Sequence, residues 1–350
     1  MVSAVPVAGR LIGPREPCFI IAEAGVNHNG DLNLARRLID AAVAARADAV
    51  KFQTFRAERL ATRNAPKAAY QRQATDPRES QFEMLKRLEL SESAHQELMA
   101  HCQRQGILFL STPFEEESAD FLERLGIAAF KIASGELTNW PFLAHVARKD
   151  RPVILSTGMA TLEEVRGAIE IIRANGNPPL VLLHCVSRYP ADASDANLQA
   201  MRSMVEAFGV PVGFSDHTLG ITVAVAARAL GACVIEKHIT LDRTLAGPDH
   251  QMSLEPEGLR ALVKDLRLVE AALGDGRKVP APGEAAVAAV ARKSLVAARR
   301  IPSGSPLTRR TIDIKRPGTG LPPSMLSRVV GRRAAKDIPA GTVLSEEMLR

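Results

Sequence analysis

The chain is poor in aromatic residues: Phe, Trp and Tyr make up only 4% of its 350 residues, with one Trp and two Tyr. Proteins that bind single-stranded nucleic acid stack bases on such side chains, so this composition argues against that class. The net charge is +6, yet the basic residues do not gather into one long run. We therefore expect no nucleic-acid partner, and expect the positive charge to suit an anionic small molecule or simply to aid solubility.

Long apolar segments are also missing. No run of about 18 apolar residues occurs, which argues against a membrane-spanning helix, and MVSAVPVAGRLIGPREP at the N-terminus lacks the features of a signal peptide. The four cysteines show no C-x-x-C spacing, which suits reduced core thiols. We expect a cytoplasmic protein with no membrane partner.

Eight short apolar runs alternate with amphipathic segments. The runs cover residues 19–27, 48–54, 107–112, 128–134, 152–158, 180–186, 210–217 and 232–240. Eight βα units predict an α/β fold of the (β/α)8 TIM-barrel type rather than an open doubly wound sheet. Because no G-x-G-x-x-G opens a helix, a dinucleotide site is not supported.

The composition changes after residue 274. Residues 275–293 are rich in Ala, Pro and Gly and are typical of a linker. In the remaining residues, 294–350, the segment ARRIPSGSPLTRRTI (298–312) resembles AKDIPAGTVLSEEML (335–349). We therefore predict a barrel domain over 1–274, a linker, and a small pseudo-symmetric β-rich domain whose core is too small to be very stable alone.

Polar residues occupy the carboxyl ends of the eight runs, which is where TIM barrels carry their active sites. In ACVIEKHIT (232–240), Glu236 and His238 share one face of the strand, and Lys237 faces the other way, where we expect it to pair with an acid. His217 ends the preceding run. Since adjacent parallel strands are about 5 Å apart, the two imidazoles could bind one metal ion or could simply be hydrogen-bonded in a polar barrel mouth.

Lys51 and Lys131 lie on the second and fourth runs and are aimed at the same mouth. Three interpretations stay open on the residues alone. The lysines could hold a phosphate and a carboxylate as point charges, one of them could form a Schiff base, or they could form salt bridges with Glu23 or Glu136. Neutral hydroxyl groups that would add hydrogen bonds to an anion belong to Thr112, Ser134, Ser187 and Ser215.

Motifs along almost the whole chain resemble the sialic acid synthase family. In the barrel they are FIIAEAGVNHNGDLNLARRLIDAA, DAVKFQTF, FLSTPF, FKIASGELTNWPFL, ILSTGMAT, LHCVSRYP, GFSDHTLG, VIEKHITLD and GPDHQMSLEP. In the tail, IKRPGTGL resembles that family's antifreeze-like domain, also called the SAF domain. The resemblance implies a TIM barrel followed by a SAF domain.

The resemblance further implies an enzyme that condenses phosphoenolpyruvate with an N-acylated mannosamine-type sugar and water, giving a nine-carbon 2-keto acid and phosphate. It implies a divalent metal ion, Mn²⁺ or Mg²⁺, on His217 and His238. The implied phosphoenolpyruvate site consists of Lys51, Thr112, Lys131, Ser134, Ser187, Ser215 and His217. Glu23, Gln53, Tyr189 and Asp249 would face the sugar or the metal-bound water.

Three catalytic candidates result. Glu136 sits where the family places an acid/base group, and the chemistry of the reaction adds Glu23 as a second group that could move protons and Lys131 as a group that offsets negative charge. Arg316 matches a tail arginine that enters the barrel mouth of the partner subunit and meets the acyl group of the sugar, so a homodimer with swapped tails is implied. Ser187 departs from the pattern, because some members have Asn at this position.

Two other functions remain open. A related phosphoenolpyruvate-dependent aldol synthase that uses another sugar would not need the tail, and the tail could instead be a carbohydrate- or ice-binding module. The sugar also stays open between N-acetylmannosamine and a 2,4-diacetamido-6-deoxymannose. APKAAYQ and GPDHQMSLEP favour the second sugar, by resemblance to legionaminate synthases.

Overall fold

A computed structural model describes residues 2–350, which form two compact units. The first ends at Gly274 and the second is Asp275–Arg350. The first unit begins with an antiparallel hairpin of β1 (Val5–Val7) and β2 (Arg10–Ile12). None of the helices between residues 2 and 350 combines the length and the apolar character that a membrane crossing demands.

Within the described residues, eight parallel strands make up the rest of the sheet structure of the first unit. They are β3 (Phe19–Gly25), β4 (Ala49–Thr54), β5 (Leu108–Pro113), β6 (Phe130–Ile132), β7 (Val153–Ser156), β8 (Leu180–Cys185), β9 (Val212–Asp216) and β10 (Val234–His238). Their hydrogen-bonded order is β5-β4-β3-β10-β9-β8-β7-β6, and β5 packs beside β6. The barrel is therefore nearly closed, and the predicted TIM barrel is confirmed.

Helices pack around the barrel and over the carboxyl ends of its strands. They are α1 (Leu32–Ala44), α2 (Ala57–Leu60), α3 (Ala69–Ala74), α4 (Gln81–Leu88), α5 (Glu92–Gln105), α6 (Glu116–Leu125), α7 (Trp140–Ala147), α8 (Leu162–Ala174), α9 (Ala200–Phe208), α10 (Thr222–Ala229) and α11 (Pro256–Leu273). The start of α8 shows why these segments are helical: the hydroxyl of Thr161 accepts from the Glu164 N–H, and the Glu164 carboxylate accepts from the Thr161 N–H at 2.7 Å. This capping box satisfies two backbone donors that a helix end leaves free.

The interior of the barrel changes from apolar to polar along the strands. Ile21 on β3 and Val234 on β10 belong to a buried apolar cluster, which Val7 and Ile12 of the hairpin extend. Because side chains alternate between the two faces of a strand, the next inward positions after Ile21 and Val234 are Glu23 and Glu236. The hairpin thus adds to the apolar half, and the charged residues collect in the half at the carboxyl ends of the strands.

The second unit is small. Its helices are α12 (Glu284–Ala291) and α13 (Leu326–Val329), and its antiparallel sheet consists of β11 (Ser294–Ala297) and β12 (Ile312–Lys315). Ile301 and Ile338, which are equivalent positions of the two similar segments, exchange backbone hydrogen bonds of 2.9 Å. The two segments therefore pair at matching residues. The segment expected to be a linker, 275–293, is not irregular throughout, because it contains α12.

Candidate active site

A cavity of about 480 Å³ lies at the carboxyl ends of the barrel strands. Most of the residues predicted from the sequence line it: Glu23, Lys51, Gln53, Thr112, Lys131, Ser134, Ser187, Tyr189, Ser215, His217, His238 and Asp249. Glu236, which the sequence placed on the same strand face as His238, lines it as well. The fold thus brings together residues from distant parts of the chain in one polar mouth.

Two lysines and two glutamates meet at the bottom of this cavity. Lys51 Nζ lies 2.8 Å from Glu23 Oε2 and donates to Thr112 Oγ1 at 2.9 Å. Glu236 contacts both lysines, with Oε1 at 3.5 Å from Lys131 Nζ and Oε2 at 3.8 Å from Lys51 Nζ. Of the salt bridges left open by the sequence, the one between Lys51 and Glu23 is present, and Lys131 faces Glu236 rather than Glu136.

Burial and the neighbouring charges shift the pKa values of these groups in different directions. It raises the pKa of Glu23 to about 7, although the nearby Lys51 charge acts in the opposite direction. Burial also lowers the pKa of Lys131, partly offset by Glu236. For Glu236 the cost of burial is outweighed by Lys131 and Lys51, and its pKa is lowered. Glu23 is therefore the carboxyl group that can exchange a proton near neutral pH.

The two histidines lie side by side, with ring centroids 5.5 Å apart. His217 Nδ1 donates to the Val186 carbonyl at 2.7 Å, which leaves Nε2 of that ring as an acceptor. His238 Nδ1 is buried without a hydrogen-bond partner among residues 2–350, and Asp249 Oδ2 lies 3.8 Å from it. Burial lowers the pKa of both imidazoles, so both are neutral at pH 7.

Neutral imidazole nitrogens are ordinary ligands of divalent transition metals. The arrangement of His217 and His238 therefore fits a metal ion with several open coordination positions. Among residues 2–350, no three His, Cys, Asp or Glu side chains are grouped closely enough to hold a metal by themselves. Two imidazole ligands leave coordination positions open to water or substrate.

Aromatic rings flank the histidines. The Tyr189 ring lies 4.2 Å from the His217 ring and 5.9 Å from the His238 ring, measured between centroids. Tyr70 stacks on Tyr189 at 5.1 Å and also lines the cavity. Tyr70 was not named as a site residue, although it lies in APKAAYQ, the motif that favoured the diacetamido sugar. It belongs to the segment between β4 and α5, which is far longer than the roughly 2–6 residues of a usual βα loop.

Hydroxyl groups are packed closely around Gly158. Ser134 Oγ accepts from the Gly158 N–H at 2.9 Å and lies 3.1 Å from Cys185 Sγ. A Cβ atom added at Gly158 would come within 2.2 Å of Ser187 Oγ. The same Cβ atom would lie 2.9 Å from Ser134 Oγ, so only glycine leaves room for both hydroxyl groups at this position.

Three residues that the sequence analysis discussed do not line the cavity. Glu136 is half-buried just after β6, its Oε2 accepts from Asn139 Nδ2 at 2.7 Å, and burial raises its pKa. Arg316 is an exposed residue of the second unit and donates from Nε to the Ala291 carbonyl at 3.1 Å. Lys237 points away from the cavity and pairs with Asp216 at 2.7 Å, which confirms the expected pairing with an acid.

Comparisons with known proteins agree with this geometry. The NeuB family model matches residues 38–278, and the SAF domain model matches residues 292–350. The N,N'-diacetyllegionaminic acid synthase of Legionella pneumophila is 48% identical over 95% of this chain and 94% of its own length. The N-acetylneuraminate-9-phosphate synthase of Mus musculus is 38% identical over 97% of this chain and 94% of its own length.

A solved structure extends the agreement to the fold. The crystal structure of N-acetylneuraminic acid (sialic acid) synthetase from Leptospira borgpetersenii in complex with citrate is 37% identical, with a TM-score of 0.73. The match covers 81% of this chain and 94% of that one. With a family model over most of its barrel and relatives aligned over nearly its full length, the chain belongs to the NeuB family and carries a C-terminal SAF domain.

Proposed function

We propose that this protein is an N,N'-diacetyllegionaminic acid synthase. It condenses phosphoenolpyruvate with 2,4-diacetamido-2,4,6-trideoxymannose and water, and it releases phosphate and a nine-carbon 2-keto acid. The main observation in support of this proposal is that one cavity of a NeuB-family chain is lined by Lys51, Lys131, His217 and His238. The choice of sugar rests on the higher identity to the legionaminic acid synthase, 48%, than to the N-acetylneuraminate-9-phosphate synthase, 38%.

Phosphoenolpyruvate binds at the bottom of the cavity. Lys51 and Lys131 offset its phosphate and carboxylate charges, and Thr112 and Ser215 add hydroxyl donors. Ser134 and Ser187, beside the Gly158 N–H, complete the set. Lys51, whose Nζ lies 2.8 Å from Glu23 Oε2, shares its ammonium group between that carboxylate and the ligand.

The reaction forms one carbon–carbon bond and breaks one carbon–oxygen bond. C3 of phosphoenolpyruvate attacks the aldehyde carbon of the open-chain sugar, whose oxygen takes up a proton and becomes a hydroxyl group. Water then adds to C2 and loses a proton, and the resulting tetrahedral carbon expels phosphate to become the ketone. Glu23 accepts the proton of the water, since its pKa of about 7 suits a base at neutral pH. Glu136 is the second acid/base candidate.

His217 and His238 would hold the divalent metal ion, Mn²⁺ or Mg²⁺. When bound, such an ion polarises the aldehyde oxygen and makes the carbon a better electrophile. Asp249, 3.8 Å from His238 Nδ1, orients that imidazole or the sugar. Gln53 and Tyr189 also line the cavity, and they would contact the sugar.

Arg316 acts in the barrel of a partner subunit. The active form is a homodimer in which each tail supplies its arginine to the sugar's acyl group in the other subunit. What supports this is the match of IKRPGTGL to the tail motif of the family and the exposure of the Arg316 side chain. A guanidinium can donate two parallel hydrogen bonds, which suits a carbonyl oxygen and a neighbouring hydroxyl.

The decisive experiment is phosphate release from phosphoenolpyruvate with a panel of hexosamines. We expect turnover with 2,4-diacetamido-2,4,6-trideoxymannose and much weaker turnover with N-acetylmannosamine. Mass spectrometry of the product should give a nine-carbon keto acid that retains both acetyl groups. Phosphate release with N-acetylmannosamine alone would make the protein an N-acetylneuraminate synthase, and release with neither sugar would contradict the proposal.

A further inference from the structure

The cavity has two chemically different sides. One is the charged and polar set of Lys51, Lys131, Glu236 and the histidines. The other is an apolar wall, which consists of Val26, Leu60, Met84, Leu85, Leu88 and Phe114. Val26 and Phe114 follow the carboxyl ends of β3 and β5, so they lie above the level of the charged groups, toward the opening. The reaction chemistry derived above uses no residue of this wall.

The side chains of the wall belong to a well-packed apolar cluster. Met84 and Leu88 are 1% and 2% exposed and pack with Val26 and Phe55 in a cluster separate from the main core. Phe55 and Phe114 meet edge to face at 6.0 Å. The cluster is contributed largely by the long segment between β4 and α5, whose helices carry Leu60, Met84, Leu85 and Leu88.

Hydrogen bonds and ion pairs between residues that do not line the cavity hold this segment in place. The buried amine of Lys67 donates to Thr75 Oγ1 at 2.8 Å and contacts Glu79 Oε1 at 3.2 Å. Arg87, near the end of α4, pairs with the same carboxylate at 2.7 Å. Because α4 is held in this way, the side chains on its cavity face present a fixed surface to a ligand.

The cavity face of α4 combines apolar and amide groups. Leu85 is half-buried and lines the cavity, and Gln81, one helical turn earlier, lines it as well. Residues four apart lie on the same face of a helix. Gln81 forms no side-chain hydrogen bond with any of residues 2–350, so its amide is free to pair with a ligand. A leucine beside a free carboxamide matches an acetamido group, which has a methyl end and a polar end.

We propose that the apolar wall binds the distal end of the sugar, namely its C4 acetamido and C6 methyl groups, with Leu60, Leu85 and Gln81 as the specificity-determining residues; this rests on the proposed function. The aldehyde carbon must lie beside phosphoenolpyruvate at the charged side. The opposite end of the hexose therefore extends toward the opening, where the wall lies. N-acetylmannosamine presents hydroxyl groups at C4 and C6, and the leucines and Phe114 offer these no partner.

The effect on selectivity follows from apolar recognition. One missing methylene group in an apolar pocket typically changes kcat/KM by about 10- to 200-fold, and an added hydroxyl by about 100-fold. We therefore expect the wild-type protein to prefer the 6-deoxy sugar over its 6-hydroxy analogue, 2,4-diacetamido-2,4-dideoxymannose, by between ~10- and ~100-fold in kcat/KM. Equal kcat/KM for these two sugars would overturn the assignment without any variant being made.

Substitutions in the apolar wall test which residues cause this sugar preference. Leu85→Asn and Leu60→Asn keep the side-chain volume similar but remove the apolar surface, and they change two different helices. Each should raise the KM for the diacetamido sugar by about 10-fold or more and leave the KM for phosphoenolpyruvate unchanged. Leu268→Asn is the matched control, because it makes the same replacement at an exposed position of α11 that does not line the cavity. Circular dichroism melting curves identify a variant that fails to fold.

The outcomes separate this inference from the proposed function. If the wild-type protein turns over the diacetamido sugar while a folded Leu85→Asn variant keeps both KM values, only the assignment of the wall is wrong. A parallel rise in the KM for phosphoenolpyruvate would also overturn it, because the wall would then act on the whole site. If the wild-type protein does not use the diacetamido sugar at all, the proposed function is itself wrong. The assignment of this sugar to the apolar wall is then wrong as well.

Discussion

Lys237 Nζ lies 2.7 Å from Asp216 Oδ2, and these two residues immediately precede His238 and His217 in the chain. Both side chains are buried. Lys237 also donates to the Thr218 carbonyl, and Asp216 Oδ1 accepts from the Thr218 N–H at 2.9 Å. The pair thus ties β10 to the turn that carries His217, and we expect it to fix the separation of the two imidazoles.

Replacing Lys237 by methionine should therefore have two effects. It leaves the Asp216 carboxylate buried without its cation, which should lower the free energy of unfolding by about 3–5 kcal/mol. It should also weaken Mn²⁺ binding by about tenfold, since groups that orient metal ligands commonly contribute that much. Denaturant unfolding and the electron paramagnetic resonance of free Mn²⁺ measure the two effects. Lys264→Met, at an exposed position of α11, is the control; wild-type Mn²⁺ affinity in a folded Lys237→Met protein would contradict the positioning role.

Metal removal provides a second prediction. Chelation should abolish phosphate release, and added Mn²⁺ or Mg²⁺ should restore it, because His217 and His238 are neutral, adjacent and buried at the cavity. A protein with both His217→Ala and His238→Ala should neither bind Mn²⁺ nor turn over. His145→Ala changes a histidine on α7 that pairs with Asp120 and should remain active. Full activity of the double variant would rule out the metal assignment.

Lys131 tests the anion site. Lys131→Ala removes a buried cation that faces Glu236 at 3.5 Å, so the KM for phosphoenolpyruvate should rise at least tenfold, or about 1.4 kcal/mol, or turnover should be lost. Lys149→Ala, which breaks an ion pair with Glu123 on the helical layer, should leave this KM unchanged. A change in the sugar KM alone would mean that Lys131 serves the other substrate. Borohydride trapping of a lysine adduct would instead favour Schiff-base chemistry.

His28 makes a prediction about stability and pH. This residue is 1% exposed, and burial lowers its pKa to about 4, with His95 and His250 acting in the same direction. Between about pH 6.5, the ordinary pKa of histidine, and pH 4 the unfolded chain binds a proton that the folded chain does not. Stability should therefore fall as the pH falls through this window, by up to ~1.4 kcal/mol per pH unit from this residue.

Unfolding curves of His28→Gln across the same window measure that contribution. The variant should show a shallower loss of stability between pH 6.5 and 4, whatever its absolute stability is. His101→Gln, a partly exposed histidine of α5 that contacts Asp40, serves for comparison. If the wild-type protein and His28→Gln lost stability at the same rate, His28 would not be held neutral by the fold.

The barrel could be predicted because its determinants are local. Each strand is a short apolar run, and alternation along a strand places Lys51 and Glu236 on inward faces without any knowledge of the fold. The pairings among the charged groups could not be predicted in the same way. Glu236 contacts Lys51 and Lys131, which lie on β4 and β6, only because the barrel closes and brings three separate strands to one point.

Two features were missed for different reasons. The apolar wall depends on how helices α2 to α4 pack over the strand ends, and such packing has no periodic signal in a segment that is largely polar. Helix α12 lies in a stretch whose prolines and glycines suggested a linker, yet EAAVAAVA (284–291) is rich in alanine. Alanine is the strongest helix former, and its helix propensity outweighs the effect of the nearby prolines and glycines.

The last prediction concerns the tail. If Arg316 acts in the barrel of a partner subunit, two inactive variants should complement each other. Lys131→Ala disables the barrel and Arg316→Ala disables the tail, so each homodimer lacks a complete site. After subunit exchange, a heterodimer contains one complete site, made from the barrel of the Arg316→Ala chain and the tail of the Lys131→Ala chain.

Mixing the two variants should therefore restore phosphate release. Because random exchange makes half of the dimers mixed and each mixed dimer has one working site of two, the recovered activity should approach about a quarter of the wild-type value, provided that the sites act independently, as distant sites usually do. Native mass spectrometry verifies the exchange. An Arg316→Lys variant shows whether the planar guanidinium itself is needed, since lysine keeps the charge but loses the paired donors. Confirmed exchange without recovery would mean that Arg316 acts on its own barrel or only within the fold of the tail, where its Nε already binds the Ala291 carbonyl.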